Sequence, residues 1–383
     1  MLCKKYKERV IMATELSRST YLEKNVGNFP ETVEVAGKLY EKIEDLRYGT
    51  NPHQPAAFYR PVNSNGAIAS MKILKNGKSG LSQTNLEDIS GALNIVKYCD
   101  VPSCAVMKHV NPSGAAMSCP GESLLDVYKK ARDADFRAAF GSVVAFNVPV
   151  DCETAKEIMS TFVECVVAPD FEDGVLEIFN DGETYKLNKH IRIIKCGDLA
   201  SLPRFRDEVS DSADTIKVLA DGSLVIAAPL LTAIRSVDDL VPAHGSNSRC
   251  GEQTSMIECT DARKQDLVFS WHVNLSVRSN GVVIVANGQT LAVGTGEQDR
   301  VGAIEQAIVK FKEKYTGTAT LEGAVMSSDG FFPFEDGVEA AAKAGIKAII
   351  SPSGSLRDAD VVKRANELGV ALFHAPERIF SHH

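Results

Sequence analysis

Between residues 84 and 373 the chain alternates segments of helical apolar spacing with short, continuous apolar runs, and this alternation restricts it to an α/β architecture. Leu86, Ile89, Leu93 and Val96 recur at helical spacing, and residues 103–107 then read as a buried strand. A helix over 123–132, the strand GSVVAFN, a helix near 151–160 and the apolar run VECVVAP continue the pattern. It weakens between residues 198 and 249, in the polar runs RDEVSDSADT and PAHGSNSRCG, which places a division between two domains, 1–215 and 216–383. Beyond it a helix over 262–276 leads into GVVIVANGQTLAVGT, where Asn287-Gly288 suits a type I′ hairpin turn. Helices over 302–314, 335–344 and 358–368 then alternate with strands over 324–326, 348–351 and 370–373. A mainly parallel sheet with helices on its faces is expected, in two halves compatible with a diverged duplication.

At 383 residues the chain exceeds what one hydrophobic core usually organises. A formal charge of −8 argues against a sequence-independent nucleic-acid binder, so an anionic ligand must meet a local cluster of cations. No apolar run is long enough to cross a bilayer, and the opening MLCKKYKERV lacks the apolar core of a secretory signal. A cytoplasmic protein is expected. Its nine cysteines, an odd number running from Cys3 to Cys259, then fit reduced thiols, and Cys99 and Cys104 do not form C-x-x-C, so no zinc site is signalled.

Four segments carry groups suited to chemistry. Lys108 and His109 follow a buried strand and precede Asn111-Pro112-Ser113-Gly114, which reads as a turn at the strand's end. A histidine near neutral pKa accepts a proton from a weak amine nucleophile, and a neighbouring lysine steadies developing negative charge. A solvated pair on a surface turn is the competing reading. SSDGFFPFEDG surrounds Pro333 with Phe331, Phe332 and Phe334 between Asp329 and Asp336, either a platform for a flat heterocycle or an anchor for the next helix. GTGEQDR, ending at Arg300, places two glycines and an arginine between strand and helix, and Arg378 lies near the end. The first reads as an anion cradle on a glycine pattern that is weak by itself, and Arg378 as a phosphate ligand or a surface charge. The terminal His382 and His383 receive no role.

LRYGTNPHQ, KHVNPSGAA, AFGSVVAFN, SNGVVIVANGQ, GTGEQDR, SSDGFFPFEDG, PSGSLRDADV and the terminal R-x-F together resemble one family in order and spacing, from about residue 46 onward. It is the formyltransferase part of the bifunctional purine biosynthesis protein, the AICAR transformylase. The resemblance implies transfer of a formyl group from 10-formyltetrahydrofolate to the 5-amino group of AICAR, giving FAICAR. It implies His109 as base, Lys108 as the group stabilising the tetrahedral intermediate or protonating the departing folate nitrogen, and Asn280 as the group orienting the carboxamide. Nucleotide contacts carry over to Arg47, Tyr48, Gly141, Glu164, Arg300, Phe331 and Arg378. Pterin contacts carry over to Phe140, Val301, Pro333, Phe334 and Asp336. The implied fold is a pair of cytidine-deaminase-like α/β subdomains, duplicated three-layer units, without zinc. A homodimer with active sites shared between subunits is implied, with Lys108 and His109 facing Asn280 and Arg300 of the other chain, as is a structural potassium ion near Asp329.

The chain departs from the family at Glu164, where relatives place aspartate, and at Glu297, where they usually place glutamine. The stretch between Arg300 and Ser327 is also shorter than in the bifunctional relatives. No segment matches the cyclohydrolase half, so formyl transfer without ring closure, served by a separate IMP cyclohydrolase, is the expectation. The alternatives are a non-catalytic nucleotide-binding relative, or a formyltransferase with another donor or acceptor.

Overall fold

The computed structural model describes residues 20–208 and 214–382. The opening decapeptide with its Cys3, part of RDEVSDSADT and His383 lie outside the described residues. The chain divides into two compact units, one of residues 1–62 and 77–83, the other of residues 63–76 and 84–383.

In the smaller unit, strands Thr32–Val35, Lys38–Asp45 and Ala57–Pro61 form an antiparallel sheet. The LRYGTNPHQ loop is closed by the Gly49 N–H on the Gln54 carbonyl (2.6 Å) and the Gln54 N–H on the Asn51 carbonyl (2.9 Å).

The larger unit carries a twelve-stranded sheet, built from two series of elements. The first series is α1 (Gln83–Val96), β1 (Ser103–Lys108), β2 (Asn111–Met117), α2 (Leu124–Asp133), β3 (Ser142–Phe146), α3 (Cys152–Met159), β4 (Val163–Ala168), α4 (Val175–Asn180) and β5 (Arg192–Lys195). The second is α5 (Asp261–Asn274), β6 (Val282–Ala286), β7 (Gln289–Gly294), α6 (Arg300–Lys314), β8 (Val325–Ser328), α7 (Asp336–Lys343), β9 (Ala348–Pro352), α8 (Asp358–Leu368) and β10 (Ala371–Ala375). Strand order runs β10-β9-β8-β6-β7-β2-β1-β3-β4-β5, with Val241–Pro242 added beyond β10 and Lys72–Asn76 beyond β5. Each series has the same neighbours in the same directions: an antiparallel hairpin, an antiparallel third strand, then two parallel strands.

Two expectations need correction. Parallel pairing is confined to β3-β4-β5 and β8-β9-β10, and every other pairing in this sheet is antiparallel. Strands buried on both faces read as continuous apolar runs in either direction, so the pattern alone does not tell them apart. Asn111-Pro112-Ser113-Gly114 is the start of β2 and not a turn; the corner lies one step earlier, at His109-Val110. Pro112 is accommodated opposite Met107, where the register shifts and the ladder is already interrupted.

Helix starts are marked by side-chain caps. Ser123, Asp151, Thr260 and Asp299 each accept an N–H of the first turn, and Asp126 completes a capping box on Ser123. The hairpin predicted at Asn287-Gly288 joins β6 and β7. Each series closes its own core: Val106, Val144, Phe146, Ile158, Val166 and Phe179 in the first, Ile284, Leu291, Ile304, Met326, Ile349 and Leu372 in the second. Helix α1 covers the opposite face, its Gly91 against the Met107 side chain. No helix among the described residues is long and apolar enough to cross a membrane.

The helix after each hairpin lies directly on the second hairpin strand. A Cβ on Gly114 would fall 2.0 Å from the Ala131 carbonyl oxygen, and one on Gly294 would fall 2.1 Å from that of Ala303. Gly294→Ala is therefore expected to cost about 3 kcal/mol, read as a lowered urea midpoint, because backbone must yield.

His272 on α5 is buried, donates Nε2–H to the Ile234 carbonyl (2.8 Å) and stacks on Tyr98 at 4.4 Å. Burial lowers its pKa from 6.5 to about 4, against the pull of the Ile234 bond. The folded ring stays neutral where the unfolded chain binds a proton. Its contribution is thus complete above pH 6.5 and lost as pH falls toward 4, by on the order of 3 kcal/mol. Urea unfolding at pH 7 and pH 4.5 is expected to differ less in His272→Gln than in the parent.

Candidate active site

Lys108 and His109 stand at the tip of the β1-β2 hairpin. Pairing of Met107 with Val143 brings the end of β1 beside the start of β3. There the Lys108 ammonium donates to the Gly141 carbonyl at 2.5 Å. Gly141 has φ 73°, and a Cβ there would fall 3.1 Å from the Lys108 Nζ and 3.2 Å from the Phe162 ring, so backbone and space both favour glycine. His109 is exposed beside the half-buried Lys108. Phe140 is largely exposed and packs on Phe162 with ring centroids 5.0 Å apart. Glu164 on β4 accepts the Asn85 amide at 3.0 Å through one of its two carboxylate oxygens.

A second cluster forms at the ends of β6 and β8. Asn280 follows a cis Ser279–Asn280 peptide and donates Nδ2–H to the Glu297 carbonyl at 2.8 Å. Arg300, the first residue of α6, is buried and ion-paired with the fully buried Asp329. The other Asp329 oxygen accepts the Gly281 N–H at 2.8 Å. The Arg300 Nε is buried with no hydrogen-bond partner among the described residues, and Phe380 lies 5.7 Å from its guanidinium. Arg378 is exposed and covers the other ring contact of Phe380 at 4.3 Å. Phe331 is exposed, whereas its neighbour Phe332 is buried in the second core. Sequence reasoning had Phe380 only as the last residue of the terminal R-x-F motif and gave it no role, whereas its ring lies against both arginines.

The two clusters are linked through Asn111, which the sequence reading used only as a turn former. Its Oδ1 accepts the Arg278 N–H at 3.0 Å and the Thr295 hydroxyl at 2.8 Å. A cavity of about 240 Å³ beside this link is lined by Lys108, His109, Asn111, Thr295, Lys310 and Lys314 together with Asp135, which pairs with Lys314 at 3.3 Å, so lysines outnumber acids there in an overall acidic chain. A larger one, about 800 Å³, is also lined by His109 and Asn111, with Asn94, Val110, Arg278 and Ser381.

Apart from Phe140, the expected pterin residues are spread along the second half. Phe334 is exposed with Arg357 5.3 Å above its ring, Asp336 opens α7 and Pro333 is exposed. Val301 is half-buried in the first turn of α6. Arg47 and Tyr48 belong to the smaller unit. There the Arg47 guanidinium lies 4.6 Å from the Tyr48 ring, and the Arg47 N–H is bound to the Leu81 carbonyl at 2.7 Å.

The larger unit is thus an α/β protein whose candidate catalytic groups collect at hairpin and strand ends of one continuous mixed sheet. The chain belongs to the AICARFT/IMPCHase bienzyme family, whose model matches residues 9–310. It is 38% identical over 343 residues to the bifunctional purine biosynthesis protein PurH of Nostoc punctiforme, covering 89% of this chain and 59% of that protein. It is 37% identical over 364 residues to PurH of Oceanobacillus iheyensis, covering 94% and 63%. The chain therefore spans about three-fifths of the length of the curated relatives it matches.

The Arg300–Asp329 pair sets a stability prediction. Removing one partner strands a buried charge, so Asp329→Ala is expected to cost about 3–5 kcal/mol in urea unfolding. Replacing both, as Arg300→Met with Asp329→Leu, is expected to cost less than the sum of the single changes.

Proposed function

We propose that this chain transfers the formyl group of 10-formyltetrahydrofolate to the 5-amino group of AICAR, giving FAICAR and tetrahydrofolate in purine biosynthesis. The observation that carries the reading is the hairpin tip, where Lys108 is tethered to the Gly141 carbonyl beside an exposed His109. Family membership supports the choice of substrates.

The amine lone pair of AICAR is delocalised into its ring and carboxamide, so attack requires a base. In the proposed reaction, the nitrogen bonds to the formyl carbon as His109 takes its proton. The carbonyl electron pair moves to oxygen, where the Lys108 ammonium stabilises it. Collapse breaks the bond to the folate nitrogen, which leaves with a proton from Lys108 or from protonated His109. Asn280 orients the carboxamide, and Arg47, Tyr48, Gly141, Glu164, Arg300, Phe331 and Arg378 contact the nucleotide. Phe140, Val301, Pro333, Phe334 and Asp336 hold the pterin. The buried Arg300 Nε supports a polar contact there.

We further propose that residues 1–215 and 216–383 each contain one cytidine-deaminase-like subdomain. The matched strand order and the two separate cores support a duplication. A homodimer with shared sites is proposed as well. The hairpin of Thr215–Val218 and Leu224–Ala227 exposes Val218, Leu219, Leu224, Val225 and Ile226, an apolar surface that a second subunit would cover. A potassium ion near Asp329 is not needed to neutralise that carboxylate, which Arg300 and the Gly281 N–H already occupy. The eight described cysteines are free thiols, in keeping with a cytoplasmic enzyme.

The test is turnover with AICAR and 10-formyltetrahydrofolate, measuring FAICAR and tetrahydrofolate. His109→Ala is expected to lower kcat by about 10²–10⁴ with AICAR binding little changed. Near-normal turnover in that variant would overturn the assignment of the base.

A further inference from the structure

The corner that carries His109 is held in an unfavourable backbone. His109 has φ 54° and Val110 φ 58°, both in the left-handed region, and Lys108 pairs with Asn111 across them. Two consecutive positive φ values make a two-residue hairpin loop that Asn-Gly ordinarily fills. The matching β6-β7 hairpin does use Asn287-Gly288, at φ 53° and 67°. Valine is β-branched and among the residues least suited to this region, so the first corner is not formed by local preference.

An acidic side chain from the preceding helix supplies what the corner lacks. Asp88 on α1 is buried, and its Oδ1 accepts the Val110 N–H at 2.6 Å. In the second series Asp266, on the corresponding helix α5, accepts the Asn287 and Gly288 N–H groups at 2.8 Å each. The same clamp therefore serves both hairpins, one with ordinary turn residues and one with a histidine and a valine. Burial pushes the Asp88 carboxyl above its usual value, while the Val110 N–H and the charges of His109 and Lys108 pull it back.

We propose that Asp88 is a positioning residue for the transfer: by clamping the His109-Val110 corner in left-handed backbone it sets the direction of the imidazole and of the adjacent Lys108. It acts through the turn and touches no substrate. The proposal rests on the reading of His109 as the base.

The test compares Asp88→Asn with Asp266→Asn in the full chain. Asparagine keeps the size and one acceptor but removes the charge, so it holds the Val110 N–H by a weaker neutral bond and loses the carboxylate's pull on the His109 N–H. Asp88→Asn is expected to lower kcat about 100-fold, with the KM for AICAR changed little, because a displaced base costs rate and not binding. Asp266→Asn, the same change at the other hairpin, is expected to lower the urea midpoint comparably and leave kcat within about twofold, since its corner bears no reacting group. Adding Val110→Gly to Asp88→Asn should recover about tenfold in kcat, because glycine adopts positive φ without the clamp. Unchanged kcat in Asp88→Asn, equal kcat losses in both variants, or no recovery with glycine would each overturn the proposal. If the parent shows no turnover, the functional reading has failed, and the clamp is read by amide exchange instead. Exchange at Val110 about tenfold faster in Asp88→Asn supports the clamp, and an unchanged rate overturns it.

Discussion

The pairing of β2 with β7 is the constraint on which the larger unit depends. It joins the two series into one sheet, with Gln289 opposite Ala116 and the Met117 N–H on the Gly288 carbonyl at 2.8 Å. Where the ladder thins, the Thr290 hydroxyl takes over: it accepts the Ala115 N–H at 2.9 Å and donates to the Ala115 carbonyl at 3.2 Å. Buried backbone groups have to be satisfied, and here a side chain does it. The antiparallel register also carries Asn111, at the start of β2, to Thr295, just past the end of β7. The seam thus brings the Lys108-His109 tip alongside the loop leading to Arg300.

Helix packing fits this seam because both strands are lined with small residues. Gly114 and Ala116 on one side and Ala292 and Gly294 on the other let α2 and α6 settle onto backbone. Those helices then deliver their own groups: α6 opens with Arg300, held against Asp329, and α2 ends shortly before Asp135, which Lys314 reaches from the second series at 3.3 Å. Carboxylates fix backbone turns as well as cations, as Asp88 and Asp266 do. A chain with net charge −8 in this way still presents lysines around His109.

Much of this was legible in the residues. The helix over 358–368 matches α8 residue for residue, and Asn287-Gly288 marks its hairpin because each residue tolerates positive φ. Capping residues place the starts of α2, α3, α5 and α6. The His109-Val110 corner gave no such sign, since valine argues against a turn and the clamp that permits it sits 22 residues earlier. Pro112 and Gly114 signalled a turn and lie in a strand, where a register shift and a close helix account for them. In the smaller unit the alternation of TVEV and KLYEKIED was a usable strand signal that mixed charge obscured.

The sequence by itself determined the α/β class, the order of helices and strands in both series, and which residues were available for chemistry. Local periodicity and capping depend on neighbours along the chain, so they can be read there. Strand direction, the seam, the corner beneath His109 and the pairing of Arg300 with Asp329 were decided by the tertiary structure alone. Each depends on groups far apart in sequence satisfying one another's buried hydrogen bonds and charges, and no local pattern records who that partner is.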